Sequence, residues 1–193
     1  MKKFLISLLI TTFSLNSINA QKWINDSSCN SKASAIVNEA ITSLANLEHL
    51  MAVGMAKAAL LVDEDCECAN LVIAAAASNN QDWGSRSQKL KQIDVKSLTA
   101  IEKAWYTLLS TPNENFQDAA KKALNSFPDS ALINWLNVGQ DMELNKAFSE
   151  KFPLLAAGAF NTMAYAFARD GDYESAYKAI DYSLRLHDGP NAL

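Results

Sequence analysis

The chain has 193 residues, with 17 Lys and Arg against 21 Asp and Glu, a formal net charge of −4 and 49% hydrophobic residues. That length fits one domain able to bury a core without staples. The longest basic run beyond residue 3 is Lys121-Lys122, so a mildly acidic chain of this kind is poorly suited to hold phosphate backbones, and no nucleic-acid partner is expected.

The first twenty residues set the compartment. Met1-Lys2-Lys3 is basic, Phe4 to Phe13 is an apolar run broken only by Ser7, Thr11 and Thr12, and Ser17-Ile18-Asn19-Ala20 offers a small residue before Gln21. That order predicts a secretory signal peptide over residues 1–20 and a mature chain from about Gln21, periplasmic or secreted. The apolar run is too short to span a membrane, and no transmembrane span is expected in the mature chain. Cleavage removes Lys2 and Lys3 and no acid, leaving 15 basic against 21 acidic residues and a net charge of −6. Residues 21–30 read as an N-terminal linker.

From Ser31 onward the pattern is helix after helix. Gly is 6 and Pro 4, Ala-rich stretches favour helix, and no segment alternates strictly between apolar and polar residues. Helices are predicted over Ser31–Leu44 and Glu48–Val62, meeting near Asn46. Glu67–Ser78 follows as a nearly all-apolar helix, then Trp83–Ile93 beyond the turn Asn79-Asn80-Gln81-Asp82. Ser97–Ser110 opens on Ser97 as N-cap. Asn115–Ser126, Ala131–Val138, Met142–Lys151, Leu154–Ala168 and Asp172–Leu186 complete the series, with Phe127-Pro128 and Phe152-Pro153 as stops. Short connections make consecutive helices antiparallel neighbours. Small residues such as Ala33, Ala40, Ala52, Ala56 and Ala59 stand where the first pair should touch.

Cys29, Cys66 and Cys68 are an odd number for an exported chain. They read as buried or free thiols, or as one disulfide from Cys29 to Cys66 or to Cys68. A metal site drawn from Cys66, Cys68, His49 and the acids Asp63, Glu64 and Asp65 has little support, because a Cys-x-Cys without a second pair is a weak zinc signal. His187 reads as a helix C-terminal cation and His49 as a helix-surface or interface residue. No Gly-x-Ser-x-Gly, phosphate loop, His-Glu-x-x-His or calcium loop occurs, so neither an enzyme nor a bound cofactor or metal is expected. Trp105, Tyr106 and Trp135 read as core or ridge residues.

Ala157 to Pro190 resembles one tetratricopeptide repeat. Phe160, Met163, Ala164 and Phe167 match its first helix, Gly171-Asp172-Tyr173 its turn, and Ala176, Ile180 and Ser183 its second helix, while Asp188 stands where the closing Pro belongs. Looser similarity lies at Ala59 to Asp65, Ala123 to Asp129 and Lys151-Phe152-Pro153. The resemblance implies an all-α fold over residues 31–190, a right-handed stack of antiparallel helix-turn-helix repeats forming an α-solenoid. It implies a non-enzymatic scaffold holding a protein or peptide partner on a concave face, with Asn161, Tyr165 and Arg169 pointing into that groove and Ala164 and Ala176 buried between the helices. The alternative is a small-molecule-binding helical protein or accessory subunit of an envelope transport system, which a buried cavity lined by aromatics would favour.

Overall fold

A computed structural model of the chain describes residues 21–77 and 83–188. The signal peptide expected over residues 1–20, the turn at 79–82 and Pro190 lie outside them. Among the described residues the regular secondary structure is all helical, with no strand: α1 (Ser31–Ala45), α2 (His49–Val62), α3 (Glu67–Ala76), α4 (Trp83–Gln92), α5 (Ala100–Ser110), α6 (Asn113–Ser126), α7 (Ala131–Val138), α8 (Met142–Lys151), a 3-10 turn (Pro153–Leu155), α9 (Ala157–Arg169) and α10 (Tyr173–Leu186). Each helix packs on the next through short connections, and α1 and α5 also touch α3.

The ends follow capping chemistry. Asn30 accepts from the Lys32 and Ala33 amides at the start of α1, Ser130 from Ile133 at α7, Asp141 from Leu144 at α8, and Asp172 from Ser175 at α10. The N-cap expected at Ser97 is instead Thr99, which forms a reciprocal capping box with Glu102. Ser97 is held in the preceding turn, where its hydroxyl donates to Asp94 Oδ2 at 2.8 Å. Arg86 on α4 donates to the carbonyls of Ala74 and Ala75, closing the C-terminal end of α3.

Small residues set the spacing of the first three helices. Ala52, Ala56 and Ala59 of α2 are fully buried, as are Ala33, Val37, Ala40 and Ile41 of α1 and Cys68, Ala69, Leu71, Val72 and Ala74 of α3. In the last hairpin Ala164 and Ala176 are buried as expected, and Gly171 turns the chain in the left-handed region (φ 82°). The Ser183 hydroxyl donates to the Ala157 carbonyl at 3.0 Å, tying α10 to the start of α9.

The departure from the sequence reading is residues 21–30. Read as a linker, they send Trp23 and Ile24 into the core, where both are buried. The Asn38 amide of α1 clamps the Ile24 backbone from both sides, accepting from its N–H and donating to its carbonyl at 3.1 Å each. Trp23 donates to Thr42 Oγ1 at 2.9 Å and packs its ring against Trp135 of α7 and Phe148 of α8. Trp135 thereby has the packing role expected of it. At the front of the segment, the Gln21 side-chain amide donates to the Lys151 carbonyl and accepts from the Leu154 N–H. The ordered strap thus runs across α1, α5, α7 and α8.

A second set of contacts joins the last hairpin to the first. His187, just past α10, places Nε2 at 3.0 and 3.1 Å from the two carboxylate oxygens of Glu48, the buried residue before α2. Gly158 in α9 lies so close to the end of α1 that a Cβ there would collide with the Ala45 carbonyl.

Candidate functional site

The three residues expected to face a partner all stand on α9. Tyr165 is 84% exposed, and Arg169 is exposed with its Nε 3.4 Å from Asp170 Oδ1. Asn161 is half-buried, and its buried Oδ1 meets no hydrogen-bond partner among the described residues. The four-residue spacing keeps them on one side of the helix. The Arg169–Asp170 pair is exposed on both sides and contributes little to stability, so the guanidinium can exchange that carboxylate for another at small cost.

The antiparallel partner α10 adds what the sequence reading missed. Tyr173, Tyr177 and Tyr182 are exposed as well, so four of the chain's five tyrosines lie between residues 165 and 182 at the surface of one hairpin. Tyr173 and Tyr177 are one helical turn apart and share a face. With the turn centred on Gly171, Tyr165 and Tyr177 stand at about the same height along the two helices. Tyr182 is anchored by its ring, stacked on Phe160 at 5.4 Å between centroids. Salt bridges Lys178–Glu174 and Arg185–Asp181 run along the same helix. The signal that would have found these residues is the crowding of tyrosine into eighteen positions of an otherwise tyrosine-poor chain.

A second constellation is buried. Glu102, wholly inaccessible, accepts from the Ser28 N–H at 2.9 Å, the Ser28 hydroxyl at 3.2 Å and the Thr99 N–H at 2.8 Å. Cys29 and Cys66 form a disulfide, and Cys68 is a buried free thiol, which resolves the three readings left open for the cysteines. Burial first, and then the charge and hydrogen bond of Glu102, raise the Cys68 thiol well above the usual cysteine range, so it is held neutral. The cluster reads as a structural joint between strap, α3 and α5.

Among the described residues no three His, Cys, Asp or Glu are grouped to hold a metal ion; Cys66 is committed to the disulfide, and His49 places Nδ1 3.1 Å from the Ala76 carbonyl. Nor is any helix among them long and apolar enough to cross a membrane. Open hollows lie between helices among the described residues. One, of about 500 Å³, lies between α3 and α4 beside Asn70, Ile73 and Lys89; another, of about 540 Å³, lies between α5 and α6 beside Thr107, Leu108, Asp118 and Phe127. No family model matches the chain, and no curated protein or solved structure matches it either.

Proposed function

We propose that the chain is an exported, non-enzymatic helical scaffold that binds a protein or peptide partner through its last hairpin. The observation that carries this reading is the exposure of Tyr165, Tyr173, Tyr177 and Tyr182, together with that of Arg169, on one hairpin. Tyr and Arg are the side chains enriched where interfaces concentrate their binding energy, because each brings a large contact area with a polar end. Tyr182 stacks on Phe160, but the largely exposed rings of Tyr165, Tyr173 and Tyr177 give little return to an isolated chain, whereas a partner that covers them removes apolar surface from water.

The left-handed Gly171 and the small contacts at Ala164 and Ala176 support a tetratricopeptide-like hairpin at α9 and α10 as the element that presents them. The strap supports the same reading: one helical face of this protein already holds a non-helical backbone through an Asn amide, as Asn38 of α1 holds Ile24. It also bears on where a partner docks, since the faces of α1, α5, α7 and α8 that meet the strap are already filled. The Cys29–Cys66 disulfide suits an oxidising compartment and so supports export. The alternative, a small-molecule-binding protein, calls for an enclosed cavity lined by aromatics. Trp23, Trp135 and Phe148 instead pack on one another, and the two hollows are open and largely lined by other side chains.

A photo-crosslinking residue placed at Tyr165 or Tyr177 in the producing cell tests the proposal. A discrete crosslinked species is expected from both positions, weakened by Arg169→Ala, and none from the exposed control position Lys122. Equal labelling from Lys122, or none from either tyrosine, overturns the assignment of this hairpin.

A further inference from the structure

The centre of the inward face of α2 is Ala52, Ala56 and Ala59, all fully buried, with Val53, Met55 and Leu60 packed against the core beside them, while its outward face carries further large side chains. Leu50 is 92% exposed and Leu61 91%, with Met51, Val62 and the preceding Leu47 also exposed. Between them, on the same side, lie Gly54 and Ala58, and among the described residues nothing beyond the helix's own neighbouring backbone comes within 4 Å of a Cβ placed on Gly54. Glycine inside a helix costs about 1 kcal/mol relative to alanine, and here no packing among the described residues requires it.

We propose that this face is a self-association surface, on which a second copy of the chain lays its own α2 antiparallel. The order of residues specifies that occupant. Read outward from Ala56, Gly54 mirrors Ala58, Met51 mirrors Leu61, and Leu50 mirrors Val62. A two-fold axis at that point pairs small with small at the crossing and large with large on both flanks, which is the self-complementarity an isologous interface demands. Gly54 and Ala58 let the two backbones approach, and opposed helix dipoles favour the antiparallel sense. Lys57, the helix's one Lys, Arg, Asp or Glu, stands toward the edge of the stripe, where its stem lies along apolar surface and its ammonium reaches water. The stripe is on the order of 500 Å² per copy, below the roughly 800 Å² per partner of a standard interface, so the dimer is reversible and dissociates on dilution.

Sedimentation of the native protein from sub-micromolar to hundreds of micromolar tests the proposal. The mass is expected to rise from one chain toward two, with the midpoint moved at least tenfold by Leu61→Glu and by Gly54→Leu. Both positions are exposed, so the circular dichroism of the dilute variants should match the parent and exclude misfolding. For the register, chains with Gly54→Cys mixed with chains with Ala58→Cys should oxidise to a mixed dimer faster than either variant alone. A single chain mass at every concentration, a dimer indifferent to both substitutions, or faster linking within one variant than between the two overturns the proposal.

Discussion

Glu48 and His187, separated by 139 positions in sequence, face each other with the imidazole Nε2 within 3.1 Å of both carboxylate oxygens. The carboxylate is almost wholly buried at the start of α2, whereas the imidazole keeps a quarter of its surface in water. The sequence reading assigned His187 to the helix dipole and solvent, because nothing in a linear pattern brings the last helix back to the first. Replacing His187 by Ala strips a buried carboxylate of this partner, which costs about 1–3 kcal/mol. Chemical denaturation of His187→Ala, Glu48→Gln and the double variant checks this; strict additivity of the two single effects would show that the pair does not interact.

Gly158 offers a contrast with Gly54. A methyl group at Gly158 meets the Ala45 carbonyl, and backbone cannot swing aside as a flexible side chain does. Gly158→Ala is expected to destabilise by about 1–3 kcal/mol, through separation of α9 from α1. Gly54→Ala meets open space and should be neutral or stabilise the dilute protein by up to about 1 kcal/mol. Thermal unfolding of the two variants should therefore move in opposite directions or leave Gly54→Ala unchanged.

The Cys29–Cys66 disulfide closes a loop across 37 positions. By the chain-entropy argument its loss removes about 4 kcal/mol. The paired substitution Cys29→Ser with Cys66→Ser, or a reductant, should lower the melting temperature. Unchanged unfolding in reductant would mean that strap and helices hold without the bond.

Cys68 should be silent toward thiol reagents in the native protein at neutral pH. Burial and the neighbouring Glu102 charge push its pKa up, so the thiolate is scarce near neutrality and the sulfur is inaccessible as well. Titration with a chromogenic disulfide reagent should count no thiol in the folded protein and one after denaturation. Raising the pH toward the elevated pKa increases the thiolate fraction, so any residual labelling should rise with pH and not fall.

The last hairpin should tolerate change at its surface. Tyr165→Ala and Arg169→Ala are expected to alter stability by no more than about 0.5 kcal/mol, since both side chains are exposed and Arg169 holds only a neighbouring surface carboxylate. A clear loss of melting temperature in Tyr165→Ala would make it a packing residue.

Helix positions were legible because each follows from local chemistry. Ala131–Val138 and Met142–Lys151 coincide with expectation to the residue, and Asp172, expected to start the final helix, caps it. The N-cap falls at Thr99 and not at Ser97 because Glu102 lies three positions after Thr99, the spacing a capping box requires, and five after Ser97. What was not legible depends on distant partners. A ten-residue segment with one Trp and one Ile looks like a linker until Asn38, Thr42 and Glu102 are seen to supply its hydrogen bonds. The cysteine pairing was equally hidden, since spacing alone cannot tell Cys66 from Cys68.

The joining of ends described above bears on how such a protein can change over generations. An open array of helix pairs lengthens or shortens by duplication or loss of a unit, because each unit meets only its neighbours. Here Glu48 grips His187, Ala45 abuts Gly158, and Gln21 is seated on Lys151 and Leu154. An inserted or deleted pair between them would pull all three joints apart at once. Variation is therefore channelled away from unit number and toward the side chains that the finished shape presents to the outside.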